Sequence, residues 1–136
     1  MIRAVVDTNV LVSALIGKGP SNKIFKAFRE NRFILVISGE LLAELVEVLE
    51  RPIFGLSVSE RNELVGLLGR KAEIVNSTQR IDDCRDPKDN IVLECAVAGD
   101  ARHIVTGDKD LLCLHPYHGI SITKPAEFSQ ILATTG

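Results

Sequence analysis

Apolar residues recur along this chain in two alternating patterns, and the alternation predicts its elements. Ala4-Val5-Val6 is a short apolar run of the kind that becomes a buried strand. Asp7 follows at once, and Thr8 and Asn9 are good capping types before Val10, Leu11 and Ala14 resume at helical spacing. Gly17-Lys18-Gly19-Pro20 then reads as a loop, with Ser21 as cap of a second helix to about Arg29 whose inner face carries Ile24, Phe25 and Phe28. Phe33 to Ile37 is a second strand, and Ser38 caps a long helix to about Glu50, which Arg51-Pro52 ends because the residue before proline disfavours helical geometry. Ser57 and Glu60 match a capping box that opens a helix through Leu64, Leu67 and Leu68. Glu73 to Val75, His103 to Thr106 and Ile120 to Ile122 complete the strands. A helix ending at Gly99 precedes the second of these, a short helical run begins at Leu111, and Thr123 is the expected cap of a last helix with Pro125 in its first turn and Phe128, Ile131 and Leu132 inward.

Strands alternating with helices predict an α/β fold of three layers, α/β/α, around a parallel sheet of four or five strands. With no repeat, linker or low-complexity segment in sight, residues 1–136 are expected to form one domain. Right-handed crossovers place every strand's C-terminal end on one edge, where ligands bind in open sheets. Asp7 and Asp108 both follow a strand directly, so both are expected there. Capping alone also explains an acid or threonine at that position, and this plainer reading stays open for Asp7 and Thr8.

The remaining acids divide by helical position. Leu41, Leu42, Leu45, Val46, Val48 and Leu49 share one face of the third predicted helix. Glu40, Glu47 and Glu50 fall away from it, whereas Glu44 lies on its border, where a charge paired with a nearby lysine is the alternative reading. Asp86-Pro87 fits an N-cap followed by the first helical residue. Asp89 shares a face with Val92, Leu93 and Ala96, which capping does not require, so Asp86 is assigned to structure and Asp89 to chemistry. Asp110 sits inside the helical pattern after Asp108 and is the weaker of that pair. Asp82 and Asp83, in the polar stretch from Asn76 to Asp86, read as solvation of an exposed loop.

Four acids converging on one edge repel one another unless a cation sits among them, and an oxygen-only donor set selects Mg2+ or Mn2+. The chemistry such a cluster supports is in-line displacement at phosphorus. Composition agrees with a globular protein: 46% hydrophobic and 25% charged residues. The formal net charge of −2 argues against coating nucleic acid by bulk electrostatics. Lys18, Lys23, Lys26, Arg29 and Arg32 form the most basic stretch, either a solvated helix face or a phosphate-contacting rim beside the Asp7 edge, with Lys18 and Lys23 as its candidate contacts. Cys84, Cys95 and Cys113 lack a Cys-x-x-Cys pair and suit reduced thiols. His115-Pro116-Tyr117-His118 reads as a surface loop in preference to a zinc site. Without a membrane-length apolar run or a signal-peptide pattern, a cytoplasmic location is expected.

Asp7-Thr8-Asn9-Val10-Leu11, Ala43-Glu44-Leu45, Asp86-Pro87-Lys88-Asp89 and Thr106-Gly107-Asp108-Lys109-Asp110-Leu111 together resemble the PIN-domain nucleases, over Ile2 to about Phe128. The chain looks most like stand-alone prokaryotic PIN proteins, the VapC-like toxins of toxin–antitoxin pairs. That resemblance implies a metal-dependent endoribonuclease with Asp7, Glu44, Asp89 and Asp108 as catalytic, metal-binding acids. Thr8, Asn9, Thr106 and Asp110 lie within the same motifs as supporting residues. It also implies an RNA substrate, a homodimer and a protein antitoxin. Leu111 and Leu112 depart from the aromatic that often follows the last motif. Two other readings stand beside it: a phospho-receiver signalling domain, which needs a strand ending in a phospho-accepting Asp, and a PIN fold that only binds partners.

Overall fold

The computed structural model describes residues 1–17, 19 and 21–135. The order of elements is β1 (Arg3–Val6), α1 (Thr8–Leu15), α2 (Ser21–Arg29), β2 (Ile34–Ser38), α3 (Gly39–Leu49), α4 (Val58–Lys71), β3 (Glu73–Val75), α5 (Asn90–Ala98), β4 (His103–Val105), α6 (Lys109–Leu112), β5 (Ser121–Thr123) and α7 (Pro125–Thr135). Short 3-10 turns at Pro52–Phe54 and Pro87–Asp89 precede α4 and α5. The five strands form one parallel sheet in the order β3-β2-β1-β4-β5. The expected α/β/α architecture is therefore present, with five strands.

Register shows which side chains share a face. Ala4 pairs with Leu35 and His103, while Val5 pairs with Ile104. Alternation along a strand then puts Phe33, Leu35 and His103 on one face and Val36 on the other. Phe28 of α2 and Phe128 of α7 cover the first face, in a chain of rings from Phe28 through Phe33 to Phe128 and His103. Helix α5 covers the second. Gly99 at its C-terminus lies so close to β2 that an added Cβ would stand 2.3 Å from Val36 Cγ1. Leu45 and Leu49 of α3 are fully buried, each contributing about 1.5–3 kcal/mol by leaving water.

Local differences from the sequence reading have physical causes. Thr123 does not cap the last helix; it belongs to β5, and its buried hydroxyl has no hydrogen-bond partner among the described residues. Ser21 is the first residue of α2 and buried. Helix α4 buries only Leu68 fully, leaving Leu64 and Leu67 half-buried in a groove with Leu15 and Phe25.

The loop from Asn76 to Asp86, expected to be exposed, is pinned by buried side chains. The Ile81 N–H donates to Glu94 at 2.7 Å and the Cys84 N–H to Asn90 Oδ1 at 2.9 Å. The Tyr117 hydroxyl donates to Asp83 Oδ2 at 2.6 Å, so Asp83 is a structural acceptor as well as a solvated acid. Burial, and then that contact with Asp83, push the Tyr117 phenol up to about 12. These anchors fix the approach to Asp89. His115 to His118 is a surface turn, with His115 Nδ1 accepting the Ile122 N–H at 2.9 Å.

Candidate active site

The C-terminal ends of β1 and β4 lie side by side, joined where the Asp7 N–H donates to the Val105 carbonyl at 3.0 Å. Asp7 and Asp108 consequently line the same cavity, of about 350 Å3, together with Asn9, Ser13, Ser21 and Gly107. Both acids do cap helices, as the plainer reading held. Asp7 Oδ1 accepts the Val10 N–H at 3.0 Å, and Asp108 Oδ1 accepts the Asp110 N–H at 2.8 Å. Capping occupies one oxygen of each carboxylate, and the second oxygen of Asp7 takes a further hydrogen bond from Thr106.

Thr106 is the hub between the two turns. Its fully buried hydroxyl donates to Asp7 Oδ2 and accepts the Asp108 N–H at 3.0 Å. Thr8 is buried at the start of α1, and Asn9 is exposed on the cavity side.

Asp89, Asp108 and Asp110 each present a carboxylate oxygen within 4.8 Å of the others. Asp110 is therefore nearer the centre of the cluster than its place inside a helical pattern indicated. The single turn of α6 begins at Lys109 and sets Asp110 beside Asp108 and Asp89. Glu44, half-buried on α3, lies close enough for its charge to act on Asp7, so the border position on that helix does point toward this edge. Asp86 caps the 3-10 turn through the Lys88 N–H at 3.0 Å, the structural task assigned to it.

Electrostatics follow from this crowding. Asp7 is only 7% exposed, and burial raises its pKa above the ordinary Asp value. The Thr106 and Val10 hydrogen bonds oppose that rise, while the charges on Asp108 and Glu44 add to it. Asp89 is pushed up to about 7, first by burial, then by its contact with Asp108 and the charges of Asp108, Asp86 and Asp7. Among the described residues the ion pair found is Arg3–Glu73, at the opposite ends of the strands, so no cationic side chain neutralises the cluster. Unneutralised carboxylate oxygens at this spacing suit a hard divalent cation, which takes oxygen ligands and tolerates water in its remaining positions.

A model of the PIN domain matches residues 3–110. The chain belongs to the PIN-domain family. An uncharacterized protein of Methanocaldococcus jannaschii is 32% identical over 117 residues, 83% of this chain and 75% of that protein. Among solved structures, PAE2754 from Pyrobaculum aerophilum superposes on this PIN domain with a TM-score of 0.65 at 14% identity, over 98% of this chain and 90% of that one. VapBC2 from Rickettsia felis, bound to a DNA fragment from its promoter, gives 0.59 at 16% identity, over 90% and 98%. At such identities the two structures establish the fold. No described helix is long and apolar enough to cross a membrane.

Some residues of this PIN domain's site escaped the sequence reading. Ser13 lies four residues after Asn9, one helical turn on, and this polar pair on an otherwise apolar helix is a signal that the sequence does carry. Cys84, expected to stand apart, places its thiol 3.9 Å from Asp89 Oδ2 and 3.5 Å from the Asp110 carbonyl. Burial raises its pKa, so it stands there as a neutral thiol. Lys23 is exposed and lines a neighbouring groove instead of the carboxylate cavity, and Lys18 lies outside the described residues.

Proposed function

We propose that this PIN-domain protein is a metal-dependent endoribonuclease that hydrolyses RNA phosphodiester bonds. The observation that carries the reading is the convergence of Asp89, Asp108 and Asp110 within 4.8 Å, at the edge where Asp7 also ends its strand. Asp7, Glu44, Asp89 and Asp108 would hold Mg2+ or Mn2+, with Asp110 completing the cluster. A divalent ion bound there lowers the pKa of an attacking water and stabilises charge developing at phosphorus.

The protein's own residues do the positioning. Thr106 holds Asp7 through its hydroxyl and keeps the Asp108 turn in register with it, so the two acids present fixed oxygens. The N-caps at Asp7 and Asp108 lock both carboxylates against rotation. Asn9 and Ser13 supply neutral hydrogen-bonding groups beside the acids, where a phosphate can be oriented without another negative charge. Asp89, with its proton affinity raised toward neutrality, enters a metal site only after losing that proton, so occupancy should rise with pH near 7.

We further propose, from the motif resemblance and the fold shared with VapBC2, that the chain is the toxin half of a toxin–antitoxin pair with a protein antitoxin as partner, and that it acts as a homodimer in the cytoplasm. A receiver domain finds no support: β3, followed by Asn76, is an edge strand with no acid at its end to accept phosphate. The test is incubation of purified protein with single-stranded and structured RNAs, with Mg2+, with Mn2+ and with chelator. Metal-dependent cleavage is expected; RNA left intact under all conditions would overturn the reading.

A further inference from the structure

Beside the carboxylate cavity runs a second concavity of about 750 Å3 between α2 and α7. Its α2 side carries Lys23, Lys26 and, just beyond the helix, Arg32, against a single acid, Glu30. This is a strong local bias in a chain whose net charge is −2. Lys23 and Lys26 are exposed and have no hydrogen-bond or ion-pair partner among the described residues, so their charges face solvent. Arg32 is held in place, its Nη2 donating to the Leu132 carbonyl of α7 at 2.8 Å. The α7 side is uncharged, with Ser129 and Gln130 among its lining residues.

Direction is given by the two ends. Ser21, the first residue of α2, lines the carboxylate cavity, and α7 leaves the same sheet edge after β5. The Arg32–Leu132 bond ties the far ends together. The groove therefore starts beside the acids and leads away from them for about 13 Å, the length of a nine-residue helix.

We propose that this groove holds the sugar-phosphate backbone of single-stranded RNA on its way to or from the carboxylates, with Lys23, Lys26 and Arg32 each meeting a phosphate. The inference rests on the nuclease reading for the identity of the strand, and on charge complementarity and continuity with the acidic edge for its path. The cluster of acids repels phosphates wherever a cation does not screen it, so a cationic strip alongside supplies the attraction that the catalytic edge lacks. Among the described residues no aromatic side chain lines the groove, so base stacking adds nothing and binding should discriminate little among sequences.

The test is fluorescence anisotropy of a labelled single-stranded oligouridine of about 12 nucleotides, in chelator so that no cleavage occurs. The parent is compared with Lys23→Gln/Lys26→Gln, two exposed changes that leave the fold alone, and with Arg51→Gln, an exposed cation outside the groove. Each phosphate contact contributes about 0.7 to the slope of log affinity against log salt for a single strand. The double variant should therefore lose about 1.4 from that slope, with weaker binding, while Arg51→Gln follows the parent. An unchanged slope in the double variant would overturn the groove. So would competition by an acidic peptide as effective as competition by unlabelled RNA, because that marks a protein-binding strip. Parent protein that binds RNA with the expected slope yet never cleaves it with Mn2+ would support the groove and refute the nuclease reading, so the two failures are distinct.

Discussion

Thr106 holds Asp7: from the end of β4 its hydroxyl donates to Asp7 Oδ2 across the gap between neighbouring strands. The same oxygen accepts the Asp108 N–H at 3.0 Å, so one hydroxyl sets the spacing of two acids that lie a hundred residues apart in the chain. Thr106→Val keeps the shape and deletes that oxygen. It leaves a buried carboxylate and a backbone N–H short of a partner, at about 1–3 kcal/mol. Thr106→Ser keeps the hydroxyl. Urea denaturation should place the valine variant well below the parent and the serine variant near it. Equal stability of all three would show that the bond contributes nothing.

The acid cluster makes stability depend on pH. In the unfolded chain Asp89 loses its proton near 3.8, while in the fold burial and Asp108 hold it until about 7. Between those values the folded state binds more protons than the unfolded state, so in chelator stability falls as pH rises through the window. Asp89→Asn removes this titration. The variant should melt above the parent near pH 8 and approach it near pH 4, with chelator present throughout. A parent protein whose melting temperature rises between about pH 5 and 7 relative to the variant would contradict the assignment.

Much of this architecture is legible in the sequence because it rests on local rules. The strand–Asp–helix turns at Asp7 and Asp108, the Ser57–Glu60 box and the proline at the start of the Asp89 turn each announce themselves within a few residues. Thr106 could be named from its motif, but its role as a bridge depends on β1 and β4 being neighbours, which is a property of the assembled sheet. The central place of Asp110 and the approach of Cys84 to Asp89 were hidden for the same reason, since both depend on how α6 and the anchored loop meet in space. Glu94 and Asn90 pin that loop through bonds that depend on where α5 lies against it, which no local pattern in the sequence announces.

Gly99 links the fold to the site. It ends α5, whose first turn follows Asp89, and it lets that helix lie against β2. Gly99→Ala drives a methyl group into Val36 and should cost about 1–3 kcal/mol by overpacking. Relief requires α5 to move away from the sheet and to carry Asp89 with it. Mn2+ affinity, read by calorimetry on the folded variant, should therefore weaken along with the melting temperature. Unaltered stability would mean that the contact is readily accommodated.

The central claim is that the carboxylates perform metal-dependent chemistry instead of merely capping helices, and Asp7→Asn separates the two. Asparagine has nearly the same size, still accepts the Val10 N–H and still caps α1, so capping alone allows little loss of stability or activity. Its missing charge relieves the penalty of burial and the repulsion from Asp108 and Glu44, while an NH2 in place of Oδ2 gives up the Thr106 donation, so the variant should stay folded and melt near the parent in chelator. Cleavage of single-stranded RNA should nonetheless fall by about a hundredfold or more, because a charge holding the cation has gone. The decisive measurement is the RNA cleavage rate of Asp7→Asn and parent protein in Mn2+, with thermal melting of both in chelator. The expected result is a well-folded variant that scarcely cuts; a well-folded variant cutting at the parent's rate would contradict the mechanism.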